Sequence, residues 1–202
     1  METPFNKKEK NKIQKAIRGK YRKVAKSPDG LFKYPTGRAG LETLQYDSSI
    51  IQSLPESVTA SYCGVGNPFS LGPLNAGEAV LDIGCGAGVD TIFAAMKTGP
   101  SGKAVGIDLT SEMLDRAEEN LKKTDLNNVI LKKATGEKLP FGDSSFDVVV
   151  SNGVINLILD KASTLKEAMR VLKPGGRLMI ADQILMGELP EGKKQIIKSW
   201  SQ

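Results

Sequence analysis

Eleven consecutive residues read Val80-Leu81-Asp82-Ile83-Gly84-Cys85-Gly86-Ala87-Gly88-Val89-Asp90. The apolar run that opens this stretch contains a single acid, which is typical of a buried parallel strand. Three glycines at alternate positions follow, and a helical pattern begins at Thr91. Because glycine allows a sharp turn and leaves room for a ligand against the backbone, the strand, turn and helix together predict a nucleotide-type binding loop.

The glycine spacing separates two kinds of binding loop. A dinucleotide-binding loop needs G-x-G-x-x-G, whose third glycine lets helix and strand pack closely beside a pyrophosphate. Here the glycines run G-x-G-x-G, and Val89 occupies the place of that third glycine. Asp82 near the strand end would repel a pyrophosphate but attract a ligand that carries an amino group and a sulfonium. The alternative is a tight strand-to-helix turn that binds no ligand.

A second acid follows at the end of the next apolar strand. The segment 103–110 ends its apolar run at Asp108, twenty positions after Gly88. A carboxylate at this place can accept hydrogen bonds from both hydroxyls of a ribose. Alone, Asp108 would be a solvated acid at a strand end, but together with Asp82 and the glycines it predicts a ribose ligand.

The remaining patterns complete an alternation of strands and helices. They predict a helix over 110–123, strands over 129–131, 146–151 and 177–182, and a helix over 161–172 that buries Leu165, Ala168, Met169 and Leu172. The order β-α-β-α-β-loop-β-α-β predicts an α/β fold with a doubly wound, mostly parallel sheet. The ligand crevice of such a sheet lies at the carboxyl ends of its strands, where Asp82, Asp108 and Asn152 are expected to converge.

The first part of the chain has a different character. Residues 8–26 predict a basic amphipathic helix that docks its apolar stripe on the main domain or on another subunit. The segment 62–69 contains Gly64 and Gly66 and predicts a flexible loop, which is either a lid over the ligand or a plain linker. We therefore divide the chain into 1–70, a basic helix with a lid-like segment, and 71–202, the ligand-binding domain.

Composition excludes several classes of site. The net charge is +5, and the chain has no histidine, so neither a histidine base nor a histidine-ligated metal is possible. Its two cysteines lack the spacing of a metal site and, with no signal-peptide or membrane-spanning run, favour a cytoplasmic protein without a metal. The basic helix could bind RNA, but no aromatic stacking surface accompanies it, so nucleic acid is disfavoured.

From Pro55 to Asp182 the chain resembles the class I S-adenosylmethionine-dependent methyltransferases, in the branch that contains arsenite and quinone-type methyltransferases. The resemblance is carried by Val80–Gly88, Gly106–Asp108, Glu112–Leu114, Leu139–Phe141, Ser151–Leu157 and Leu172–Gly176. It implies a Rossmann-like fold with S-adenosylmethionine as cofactor and S-adenosylhomocysteine as product. It also implies a closing helix and an antiparallel hairpin, but here the pattern of a helix only begins at Ile196, so we expect either a C-terminally truncated domain or a sheet that something else completes.

The resemblance also implies roles for particular residues. Cofactor contacts are expected from Asp82, Gly84, Cys85, Gly86, Gly88, Asp108, Leu109, Met113, Thr135, Gly136, Glu137, Asn152 and Asn156. Asp82 would face the methionine amino group, and Asp108 the ribose. Leu109 and Met113 would flank the adenine, near Glu137. Asn152 and Asn156 would orient the methionine portion or the substrate, and the substrate mouth is expected at Tyr62, Cys63 and Asn67.

Two departures bear on the substrate. The arsenite enzymes carry a cysteine where this chain has Gly153, and another beyond the fourth strand, where this chain has none. A trivalent arsenic site needs several soft thiolates, which Cys63 alone does not supply. The chain is therefore expected not to methylate arsenite at a useful rate.

These observations predict a methyltransferase that acts on a small molecule. The alternatives are an RNA methyltransferase that uses the basic helix, and a protein that binds the cofactor without catalysis. The missing hairpin would leave a sheet edge uncapped, which predicts a homodimer or exposed apolar surface near Leu178, Ile180 and Trp200.

Overall fold

A computed structural model describes residues 5–184 and 186–187. Its centre is a five-stranded sheet in the order β3-β2-β1-β4-β5, in which every pairing is parallel. The strands are β1 (Ala79–Ile83), β2 (Lys103–Asp108), β3 (Val129–Lys133), β4 (Phe146–Asn152) and β5 (Leu172–Ala181). The doubly wound α/β prediction is confirmed. The expectations about Trp200 and about a C-terminal hairpin concern parts of the protein outside the described residues.

The helices cover both faces of this sheet. They are α1 (Lys7–Val24), α2 (Gly37–Thr43), α3 (Ser48–Ser53), α4 (Glu56–Thr59), α5 (Val89–Thr98), α6 (Ser111–Leu121) and α7 (Lys161–Val171). Side chains on the strands alternate between the two layers. Val80 and Val148 pack with Ala94 of α5, whereas Leu81 and Val149 pack on the opposite face with Ala168 of α7. The chain reverses its winding between β1 and β4, which places the ligand crevice at their carboxyl ends.

Helix α7 is rotated relative to the prediction. Its buried residues are Thr164, Ala168 and Val171, whereas Leu165 and Met169 are 39% and 61% exposed. The predicted inward stripe is confirmed for Ala168 and Leu172, although Leu172 opens β5 instead of ending the helix, and it is wrong for Leu165 and Met169. The buried set at 164, 168 and 171 follows the helical period from the true start of the helix.

Strand β5 begins earlier than predicted. Leu172 pairs with Phe146, and the next partners are Arg177 and Val148, so the intervening residues 173–176 form a bulge. Gly175 within it has a φ of 77°. The lysine-proline-glycine-glycine segment thus ends α7, as predicted, but lies inside the edge strand rather than before it.

Helix α1 docks on the main domain. Asn6 caps its start, with the Asn6 side chain accepting from Glu9 N at 3.0 Å and Asn6 N donating to Glu9 at 2.8 Å. Ile13 and Val24 are buried, and Arg22 pairs with Glu112 of α6 at 2.6 Å. The first of the two expected docking partners is therefore the one observed within the described chain.

Candidate functional site

A cavity opens at the carboxyl ends of β1, β2 and β4. Among the residues that line it are the predicted site residues Tyr62, Cys63, Asp82, Gly84, Cys85, Gly86, Asp108, Leu109, Met113, Thr135, Gly136, Glu137 and Asn152. Gly88, Asn67 and Asn156 do not line it, and each has a different place in the fold.

The glycine turn forms a bare wall of this cavity. Gly84 and Gly86 have φ values of 78° and 52°, in the left-handed region that other residues rarely adopt. A Cβ on Gly84 would collide with Val154, and one on Gly86 would lie 3.0 Å from Met113 Cε. Gly88 instead caps α5, and a Cβ there would lie 3.0 Å from that of Ala117. Gly88 therefore allows close packing of α5 against α6, and its predicted cofactor contact stays a prediction.

Asp108 is held at the end of β2 by backbone amides. Its Oδ2 accepts from Gly86 N at 3.0 Å, and its Oδ1 accepts from Thr110 N at 2.7 Å. Burial raises the pKa of Asp108, although these backbone hydrogen bonds act in the opposite direction. Each carboxylate oxygen keeps a lone pair for a further donor, so the fixed carboxylate can accept from a ligand hydroxyl.

Asp82 and Asp90 are two further acids on the cavity wall. Asp82 Oδ2 accepts from Thr91 Oγ1 at 2.7 Å, and Asp90 Oδ1 accepts from the Tyr46 hydroxyl at 2.7 Å. Burial is the largest cause of the raised pKa of both, and the charge of Asp90 raises that of Asp82 further. The sequence reasoning missed Asp90 as a site residue. The available signal was an acid in the first turn of an otherwise apolar, buried helix.

Asn152 at the end of β4 holds the segment between α4 and β1. Its Oδ1 accepts from Val65 N at 2.9 Å and from Gly66 N at 3.1 Å. Its Nδ2 donates to Gly66 O at 2.8 Å and to Asp90 Oδ2 at 2.9 Å. The Tyr62 hydroxyl donates to the same Gly66 carbonyl at 2.8 Å. Asn152 therefore joins the loop to the acid on α5, and its amide is committed to the protein itself.

The expectation that glycine hinges make the segment 62–69 a flexible lid does not fit these contacts. A Cβ on Gly64 would collide with the Asn152 side chain, and one on Gly66 would lie 2.7 Å from Ala181 Cβ. The glycines stand where side chains have no room. Asn67 Nδ2 donates to Leu44 O and Gln45 O at 3.3 and 3.1 Å, so this amide anchors the loop instead of facing the substrate mouth.

Asn156 also departs from its prediction. Its backbone N donates to Asp182 Oδ2 at 3.0 Å, and its side-chain oxygen is buried without a hydrogen-bond partner. It lies in a turn of 3₁₀-helix after β4, in which Leu157 lines the cavity while Asn156 does not. The helical turn directs these neighbouring side chains to different sides. The sequence motif gives the identity of each residue but not the direction of its side chain.

Both cysteines are free and protonated near neutral pH. Burial raises the pKa of the Cys63 thiol to about 12, and it raises that of Cys85 strongly. A Cβ on Gly153 would lie 3.1 Å from Cγ1 of Val65, so a side chain at this position would press against the loop that carries Val65. Within the described residues, no three histidine, cysteine, aspartate or glutamate side chains are grouped to hold a metal ion.

Helix α1 supplies a wall of the cavity that the sequence did not predict. Its lining residues are Gln14, Ile17, Arg18 and Tyr21. Burial raises the pKa of Tyr21, so its hydroxyl is protonated. Helix α1 has many charged side chains, and none of the helices that the structure describes is long and apolar enough to cross a bilayer.

Comparisons with known proteins agree with this geometry. A family model described as a methyltransferase domain matches residues 74–202. The chain is 38% identical to an arsenite methyltransferase of Halobacterium salinarum over 77% of its own length, but it spans only 40% of that protein. It is 34% identical to a demethylmenaquinone methyltransferase of Lactobacillus johnsonii, with 65% of this chain and 60% of that protein covered.

A solved structure shows the same likeness. The arsenic(III) S-adenosylmethionine methyltransferase of Chlamydomonas reinhardtii superposes with a TM-score of 0.59 at 33% identity. The superposition covers 74% of this chain and 50% of the algal chain.

Proposed function

The chain belongs to the methyltransferase domain family of S-adenosylmethionine-dependent enzymes, and on this premise we propose that it methylates a small organic acceptor. The observation that carries the proposal is the cavity, in which the glycine turn, three aspartates and apolar side chains meet where the sheet reverses its winding between β1 and β4. This is where an open α/β sheet binds its ligand.

The residues present fit the cofactor of this family. When bound, S-adenosylmethionine supplies a methyl group that the positive charge of its sulfonium sulfur activates. Asp108 would accept from the ribose, Gly84 and Gly86 would allow close approach to the backbone, and the acids Asp82 and Asp90 would complement the positive charges. Leu109, Met113 and the segment 135–137 would enclose the adenine.

Catalysis would rest on orientation and the exclusion of water. The chain contains no histidine, and burial keeps the Cys63 thiol and the Tyr62 hydroxyl protonated, so none of these groups is a ready base. An acceptor that presents its own electron pair would need only to be held in line with the methyl group. The fixed segment 64–66 and helix α1 would form the walls that hold it and keep water out.

An organic acceptor fits these walls better than arsenite. The lining of the cavity includes Tyr21, Tyr62, Gly153, Val154 and Leu157. Arsenite would need several thiolates, whereas Cys63 is protonated and Cys85 lies in the cofactor turn. Among the substrates named for the relatives, a quinone-type ring suits aromatic and aliphatic walls of this kind. The two free cysteines support a cytoplasmic, reducing location.

The test is methyl transfer from cofactor labelled in its methyl group. Three acceptor pools are compared: an extract of small organic metabolites that includes reduced quinones, arsenite, and total RNA. Label in the organic pool, lost in Asp108→Ala, supports the proposal. Label in RNA or arsenic would replace the proposed acceptor. Cofactor binding without transfer to any pool would favour a binding protein without catalysis.

A further inference from the structure

Two buried aspartates line the cavity without a cationic partner. Asp82 is 2% exposed and Asp90 8%, and we call them the acid pair. The side chains that donate to them are Thr91, Tyr46 and Asn152, all of which are neutral. None of the salt bridges in the described part of the chain includes either carboxylate.

Two ionised carboxylates in this position would be costly. Neutral donors satisfy the oxygens but supply no opposite charge, and like charges close together disfavour each other's ionisation. The raised pKa of Asp82 and that of Asp90 have burial as their first cause, in agreement with this reasoning. In the unliganded protein, the acid pair therefore keeps a proton at a pH at which an exposed aspartate is already ionised.

The surrounding groups do not change this balance. Four acidic side chains that face the pair stay neutral near neutral pH, because burial raises the pKa of Tyr46, Tyr62, Cys63 and Cys85. Asp108 and Glu137 also line the cavity and add acidic groups. Arg18 on α1 is the cationic side chain in the lining, but it is exposed and screened by solvent.

Resting on the proposed function, we propose that the acid pair releases a proton when the methyl donor binds, and that this release distinguishes the donor from its demethylated product. The donor carries the positive charge of the sulfonium, which the product lacks. A positive charge in the cavity favours the ionised form of the acid pair, so binding of the donor drives a proton into solvent. The product brings less positive charge and drives less proton release.

The proposal fixes the sign of a pH effect. A ligand whose binding releases protons binds more tightly as the pH rises, by roughly tenfold per pH unit for each whole proton released. This pH dependence of the affinity ends at the pH above which the acid pair of the unliganded protein has already lost its proton. Affinity for the donor is therefore expected to rise through the neutral range, and affinity for the product to rise less.

The experiment is isothermal titration calorimetry with the 202-residue chain. S-adenosylmethionine and S-adenosylhomocysteine are each titrated near neutral pH in two buffers that differ in heat of ionisation. The difference in apparent binding heat between the buffers measures the protons released. We expect a release approaching about one proton for the donor and a clearly smaller one for the product.

Two variants and a control locate the proton. Asp90→Asn removes one acid. In this variant, we expect a smaller difference between the protons released on binding the donor and those released on binding the product. Tyr46→Phe keeps both acids but removes a donor from Asp90, which should move the pH dependence upward. Glu118→Gln changes an exposed acid on α6 outside the cavity lining and should match the parent chain. Thermal unfolding of each variant without ligand verifies that it folds.

The outcomes separate this inference from the proposed function. Equal proton release for donor and product, with both bound, overturns the role of the acid pair and leaves the proposed function intact. An excess release that persists unchanged in Asp90→Asn and Tyr46→Phe also overturns it. If neither ligand binds, the proposed function fails together with the inference.

Discussion

At the scale of single residues, the site separates side chains that face the ligand from those that hold the protein. Asp108 is fixed by two backbone amides and keeps free lone pairs, so it can serve a ligand. Asn152, at the end of a neighbouring strand, has both ends of its amide engaged with the segment 65–66 and with Asp90. The two residues stand at equivalent strand ends, but the hydrogen bonds of Asn152 within the protein use both ends of its amide.

Substituting Asp108 should weaken cofactor binding directly. We expect Asp108→Ala to lower the affinity for S-adenosylhomocysteine at least about tenfold, since a hydrogen bond to a charged group contributes roughly 1.5–3 kcal/mol. Calorimetry measures the affinity. The control is Asp115→Ala, which removes an exposed acid on α6. Unchanged affinity in Asp108→Ala, or tight binding of NAD by the parent chain, would contradict the ribose assignment.

Substituting Asn152 should instead cost stability. Asn152→Ala leaves the backbone amides of Val65 and Gly66 without their acceptor, and a buried polar group left unpaired costs about 1–3 kcal/mol. Urea unfolding of the chain without ligand measures this loss. Asn127→Ala, at an exposed turn, should leave the midpoint nearly unchanged. If Asn152→Ala loses cofactor binding but keeps its stability, Asn152 would instead orient the methionine portion of the cofactor or the substrate, as the sequence suggested.

At the scale of elements, the sequence predicted the structures formed by contiguous residues better than it predicted the contacts between distant segments. The strand, glycine turn and helix around Gly84 follow from contiguous residues, and the structure forms them where the sequence places them. Asp90 became part of the site only because Tyr46 and Asn152 reach it from 44 and 62 positions away. The same holds for α1, whose apolar stripe predicted docking but could not specify that Ile17 and Tyr21 would face the cavity.

Helix α1 should be the movable cover, because the segment 64–66 is pinned. We expect Ile13→Ala, at a fully buried position, to loosen α1, expose it to protease and weaken cofactor binding. Arg22→Ala should have little effect, since the Arg22 and Glu112 side chains are 65% and 41% exposed. Limited proteolysis with and without S-adenosylhomocysteine measures both.

Lys15→Ala, at an exposed position of α1, is the matched control for Ile13→Ala. Cofactor should protect α1 and leave cleavage in the segment 62–69 unchanged. Protection confined to 62–69 would instead support the lid, one of the two alternatives that the sequence left open for this segment.

At the scale of the whole molecule, the described residues leave apolar side chains exposed in the layer that contains α7. On α7, Leu165 and Met169 are exposed, and Leu178 and Ile180 of the edge strand β5 are half-buried. The opposite layer, where α5 lies, is closed by the short N-terminal helices and Phe93. An apolar helix face beside an edge strand favours association.

The exposed apolar side of α7 predicts either dimerisation through this helix or the binding of a hydrophobic dye to it. Met169→Lys should reduce either effect, because a charge on the apolar patch opposes its burial. Light scattering after size exclusion and binding of a hydrophobic dye are the measurements. Ile130→Lys, on the exposed side of the opposite edge strand, is the control. A monomer that binds no dye, with or without the substitution, would count against the prediction.

The strand order also determines when the site can exist during folding. Strand β1 lies between β2 and β4, and its contact with β4 joins Ala79 to Asp147, 68 positions apart. Closing so long a loop costs chain entropy and slows the step that requires it. Asp82 and Asn152 are brought to the same cavity only by that step. A nascent chain that has released only its first three strands therefore has the glycine turn and Asp108 but no cavity, so ligand affinity should arise late and all at once.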